Sequence, residues 1–95
     1  MSSQKRSLRN SMTTQMEREM EILRTGIIAE LDAINLYEQM AALTENKNIS
    51  KILLDIAKEE KTHVGEFQAL LLMEDKEQGK ELEKGEKEVK EIVRL

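Results

Sequence analysis

Ala57-Lys58-Glu59-Glu60-Lys61-Thr62-His63-Val64-Gly65-Glu66-Phe67 (57–67) sets a carboxylate and an imidazole where an amphipathic helix would set core side chains. Glu60 and His63 lie three residues apart, so both project from one helical face. The rest of that face is apolar. Ile49, Leu53, Ile56, Glu60, His63, Phe67 and Leu70 recur at alternating steps of four and three, the spacing of a packing seam, with Leu54, Ala57, Val64 and Leu71 beside it. The pattern predicts a helix over 49–74.

Upstream, Met20, Leu23, Ile27, Glu30, Ile34, Tyr37 and Ala41 keep the same rhythm, and Ala29, Ala33, Leu36, Met40 and Leu43 form a second stripe. Thr14 followed by Glu17 resembles a capping box, so this helix should begin at Thr13 or Thr14 and end near Leu43. The polar break Thr44-Glu45-Asn46-Lys47-Asn48 offers Asn46 or Asn48 as the next N-cap. So short a connection implies an antiparallel hairpin. Glu30 lies about 16 residues before the turn and Glu60 about 14 after it, so at about 1.5 Å per residue they reach nearly the same height.

Composition sets the class. In 95 residues there is no proline or tryptophan, with one tyrosine and one phenylalanine, and 36% of the chain is charged. This is an all-α composition without the β-branched and aromatic runs of strands. The absence of cysteine removes disulfides and thiolate metal sites. A net charge of −4 argues against a general nucleic-acid binder, despite Lys5, Arg6 and Arg9. No run approaches the roughly 20 apolar residues that span a bilayer, so no membrane partner is expected. The expectation is a soluble, cytoplasmic protein.

Residues 1–13 lack periodicity and read as a flexible tail, followed by one helical domain over 14–95. After Glu74 the apolar pattern fades, and Gly79 offers a turn. Lys80 to Leu95 should then form a short helix with Leu82, Val89, Ile92, Val93 and Leu95 to bury, supported by Glu83–Lys87 and Glu86–Lys90. Two long helices cannot shield apolar faces this wide. A dimer of hairpins, with four helices around one core, is the smallest closed solution.

The seam acids and the single histidine fit that dimer. Carboxylate-bridged di-metal sites in four-helix bundles take a Glu from each of two helices and Glu-x-x-His from each of the other two. One hairpin carries half of this set: Glu30, Glu60 and His63. Polar residues at seam positions can instead only fix register and oligomer state. The only histidine, its Glu partner and a second Glu at equal height favour metal. Tyr37, two turns beyond Glu30, is either a core aromatic or a neighbour of the metal ligands. Asp32 and Glu59 could line a path that attracts cations, and Glu66 continues the Glu60–His63 spacing. A solvated helix face is the plainer account of these acids, and of Glu38.

Over about Met20 to Val93 the sequence resembles the encapsulated ferritin-like family, the half-ferritin cargo of prokaryotic encapsulin shells. The likeness is strongest in Ile27-Ile28-Ala29-Glu30-Leu31-Asp32-Ala33-Ile34-Asn35-Leu36-Tyr37-Glu38-Gln39-Met40 and in Ile52 to Phe67. The resemblance implies a hairpin with a short C-terminal helix that dimerises into a ferritin-like four-helix bundle. It further implies a decameric ring of dimers and a ferroxidase centre holding two irons per dimer. Fe(II) and dioxygen would be its substrates, and an encapsulin nanocompartment its location and iron store. On this resemblance Glu30, Glu60 and His63 match the ligands, Tyr37 the adjoining aromatic and Asp32 an acid on the path of metal approach. The chain departs from free-standing members in ending Lys90-Glu91-Ile92-Val93-Arg94-Leu95, without a Gly/Leu/Ile docking peptide. Relatives fused to the shell protein offer a second origin, as one excised domain. A different dimetal enzyme of rubrerythrin-like chemistry, using dioxygen or peroxide, is the competing enzymatic reading. A non-enzymatic oligomerisation module is the other.

Overall fold

The computed structural model describes residues 14–94, so the expected tail over 1–13 lies outside the described residues. Three α-helices follow one another: α1 Gln15–Leu43, α2 Lys47–Glu74 and α3 Lys76–Val93. No strand occurs among the described residues. α1 and α2 pack along their lengths as an antiparallel hairpin, and α3 touches α2 near their junction.

The caps explain where each helix starts. The Thr14 hydroxyl accepts from the Glu17 N–H at 3.1 Å, while the Glu17 carboxylate accepts from the Thr14 N–H at 3.4 Å. This reciprocal pair is the expected capping box. Asn46 accepts from the N–H groups of Asn48 and Ile49 at 2.9 and 3.1 Å, which starts α2 at Lys47, two residues before the apolar pattern begins. Thr44 Oγ1 accepts from the Asn46 N–H at 3.1 Å and tightens the turn.

The second junction differs from expectation. No turn forms at Gly79, which lies inside α3. The break is the single residue Asp75, C-cap of α2 and N-cap of α3 together. Its backbone N–H donates to Leu71 O at 2.7 Å, and its carboxylate accepts from Gln78 N–H at 3.0 Å. One residue closing both helix ends leaves no need for a glycine turn, so α3 gains its first turn from Lys76 onward. Arg24 of α1 donates to the same carboxylate at 2.7 Å. The clamp ties the start of α3 to the hairpin, while nothing on α3 itself is buried. Of the two expected pairs along α3, Glu86–Lys90 forms at 2.9 Å, and Glu83–Lys87 is not among the ion pairs of the described residues.

The core within one chain is small. Among the described residues only Ile34, Ala41, Ala57 and Leu71 are buried, all on the facing sides of α1 and α2. Meanwhile Ile28, Ile52, Leu43 and Ile92 are each more than 60% exposed. The radius of gyration is 17.6 Å, against about 13 Å for a compact domain of 100 residues. Burying so few side chains is far too little to offset the ordering of helices this long. The described helices leave most of their apolar surface open.

The backbone hydrogen bond from Gln78 does most to hold the Asp75 carboxyl below the ordinary carboxylate range; burial works against it, and Arg24 adds to it. A depressed carboxyl contributes stability that is full above its ordinary value and lost as pH falls through the depressed one. Below about pH 4 the α2–α3 junction should therefore loosen before the hairpin does. Hydrogen exchange near neutral pH tests the same clamp. Asp75→Ala should speed exchange in the first turn of α3 and leave α1 and α2 protected. Asp75→Asn, which keeps the capping oxygen and loses the charge, should fall between. Equal protection in all three proteins would show that Asp75 does not hold the junction.

Candidate metal centre

Glu30 sits midway along α1, and Glu60 and His63 sit on consecutive turns of α2. The hairpin brings all three together, with their ligand atoms within 4.8 Å of one another. His63 Nδ1 is 3.3 Å from Glu30 Oε2 and 3.4 Å from Glu60 Oε2. When Nδ1 carries the proton, it donates across the helix pair to the Glu30 carboxylate. The equal heights expected of Glu30 and Glu60 are those observed.

Burial gives the trio a direction. The two carboxylates are 20% and 18% exposed and the imidazole 45%, so the cluster has an inner wall and an open outer side. Ile52, Ile56 and Leu70 lie 11 and seven residues before His63 and seven after it, which sets them on its side of α2. Of these, Ile52 is 61% and Leu70 50% exposed. Leu70 also lines an apolar groove of about 240 Å³ with Ile22, Leu23 and Met73. The cluster therefore opens onto an uncovered apolar face.

The donor set suits a metal of the first transition row. Two hard carboxylates and a borderline imidazole are the ligand types taken by iron, zinc and manganese. Among the described residues no lysine or arginine pairs with Glu30 or Glu60: Lys61 turns to Glu38 at 3.1 Å, and Arg24 to Asp75. Two close carboxylates with only a titratable imidazole between them attract a cation. Three protein ligands on one open side are nonetheless fewer than a pair of metal ions requires.

The other candidate residues lie outside the cluster. Tyr37 is half-buried on the Glu30 side of α1, and no hydrogen bond joins it to the trio among the described residues. Asp32, Glu59 and Glu66 are exposed. Glu38 is also exposed, and its ion pair with Lys61 across the hairpin was not foreseen, since two surface residues on different helices carry no periodic signal. A second feature escaped the sequence. Gly26, one turn before Glu30, lies directly against the ring of Phe67, one turn after His63. The glycine alone showed that α1 lacked a side chain there, and not what filled the space.

The sequence pattern described as Rubrerythrin matches residues 21–95. A solved structure, the encapsulated ferritin domain from Pyrococcus furiosus, superposes with a TM-score of 0.84 at 61% identity, over 87% of this chain and 85% of that one. The chain belongs to the encapsulated ferritin-like family. Its three helices are those of an all-α, ferritin-like fold. A ferritin-like-encapsulin shell fusion protein of Pyrococcus furiosus is 68% identical over 74 residues, which is 78% of this chain. The chain spans about a fifth (21%) of that relative's length. Membership of this family sets the Glu30–Glu60–His63 cluster in a ferritin-like fold. No described helix is long and apolar enough to cross a membrane.

If the trio is a metal site, metal should bind through all three side chains. Glu30→Ala, Glu60→Ala and His63→Ala should each weaken binding of added Co(II), followed by its visible absorption, by about 100-fold or more. Asp32→Asn should leave that binding within about threefold, because Asp32 lies outside the cluster. Unchanged binding in the His63 variant would remove the imidazole from the site.

Proposed function

We propose that two copies of this chain face one another across a twofold axis and combine their Glu30, Glu60 and His63 into one di-iron ferroxidase centre. The observation that carries this reading is the half-set itself: three converging ligands, partly buried, open on one apolar side. A twofold copy supplies the missing Glu and Glu-x-x-His and covers the face that one hairpin leaves in water. The self-complementary geometry answers both deficits with one contact.

Fe(II) is the substrate, and two ions held together can each give one electron to dioxygen. The side chains supply placement and charge. The four carboxylates would offset the charge of the bound ions, and the two imidazoles would add neutral donors. Ile52, Leu70 and their neighbours would keep bulk water from the centre. Tyr37 would hydrogen-bond or exchange an electron beside it. Asp32, Glu59 and Glu66 remain on the surface as a path that draws in cations. The known relative joins a ferritin-like segment to an encapsulin shell within one protein. That supports an encapsulin shell as partner, which would serve as iron store in a prokaryotic cytoplasm; the gathering of dimers into a decameric ring is part of the proposal.

The Rubrerythrin match favours a second reading, a dimetal enzyme in which peroxide replaces dioxygen. Stopped-flow oxidation of Fe(II) with each oxidant separates the two. Faster turnover with dioxygen supports the ferroxidase, and a preference for peroxide supports the alternative.

The interface has its own test. Ile52→Lys with Leu70→Lys places like charges on the proposed contact and leaves all three ligands intact. Native mass spectrometry should then show a monomer without bound iron, and Fe(II) oxidation should fall to the rate in buffer. A lysine variant that stays monomeric and still oxidises Fe(II) rapidly would place a complete centre within one chain.

A further inference from the structure

A Cβ built at Gly26 would lie 3.2 Å from each of Cε1, Cε2 and Cζ of Phe67, inside the 3.4 Å at which ordinary contact begins. Backbone conformation does not call for a glycine there, because no glycine among the described residues has positive φ. Inside a long helix, glycine is otherwise less favourable than alanine. Gly65 provides the contrast: it is also helical, and a Cβ there would meet nothing within 4 Å. At Gly26, then, the missing side chain makes room for a ring edge.

The position of this contact gives it a further consequence. Gly26 is one turn before Glu30 on α1, and Phe67 is one turn after His63 on α2. In an antiparallel pair these two turns form the layer next to the trio. We propose that Gly26 is a positioning residue for the metal centre. By seating the Phe67 ring directly on the α1 backbone, it sets the separation of the helix turns that carry Glu30 and His63. This inference rests on the metal-binding reading proposed above.

Magnitude decides whether so small a contact matters. Restoring a Cβ would force its neighbour to give by a few tenths of an ångström. Metal–ligand distances in a well-formed site fall within about 0.2 Å of their usual values. A shift that a helix packing would absorb is thus large enough for the ligands to register. Leucine at position 67 would remove the Cε and Cζ atoms that such a Cβ meets, so it should relieve the conflict.

The test uses the full chain as wild type, Gly26→Ala, Gly26→Ala with Phe67→Leu, and Gly65→Ala. Each is titrated with Co(II), whose visible bands report coordination geometry, and is melted without metal. Gly26→Ala should bind Co(II) about 10-fold more weakly or worse, with altered bands. Its melting temperature without metal should change little, because the helix preference for alanine opposes the cost of crowding the ring. The double variant should regain affinity and bands, and Gly65→Ala should match wild type. Wild-type binding and bands in Gly26→Ala would overturn the proposal, as would a double variant that stays as weak as Gly26→Ala. Loss of binding that only tracks a large fall in melting temperature would also overturn it, by making the contact one of core packing. Absence of Co(II) binding in all four proteins would overturn the metal reading itself and the positioning role with it.

Discussion

Two carboxylates held against one imidazole, on the open side of a two-helix hairpin, are the constraint from which the rest of the structure is best understood. Charged groups so close together are unfavourable without a counter-charge, and among the described residues no lysine or arginine supplies one. The same side of the hairpin exposes the apolar residues that a core would need. The electrostatic and the hydrophobic deficits point in one direction. In the proposed dimer a single contact relieves both: metal neutralises the acids, and the second hairpin removes the apolar face from water. One chain alone leaves that apolar face in water.

The remainder of the hairpin can be understood as support for that cluster. Ala41 and Ala57 are small and buried, which lets α1 and α2 approach closely along their seam. Next to the trio, Gly26 takes the same economy to its limit by giving up a side chain altogether. The Glu38–Lys61 pair spans the two helices beside the ligand-bearing turns, at the surface, where an ion pair contributes little to stability. Placement of the ligands therefore falls to packing, and the local determinants are steric.

Much of this was legible in the residues. The steps of three and four around Glu30 and around Glu60–His63 carry the two long helices, the hairpin, and the equal heights of the acids. Each depends on local periodicity and on a short polar turn, which a single sequence displays directly. What was hidden depends on contacts between distant positions. Gly79 looked like a turn because glycine often ends helices, yet Asp75 closes α2 and opens α3, and a side-chain cap outweighs a weak helix former one turn further on. Arg24 meets Asp75 across 51 positions, and nothing in the local pattern announces it. Phe67 read as one more seam residue. Only the approach of the chains showed that its ring needs the gap left by Gly26.

Dividing a ligand set between two identical chains has a consequence beyond economy. When neither copy holds a complete site, metal affinity and association share one free energy, and each must strengthen the other. Metal would then favour the assembled form, and a separated hairpin would hold its ions only weakly. A complete site within one chain would bind the same ions without such a link. In the proposed dimer, the open half-site would thus confine redox chemistry to the assembled state. The exposure of His63 is its structural counterpart, for that imidazole is the ligand with the most surface left for a second chain to cover.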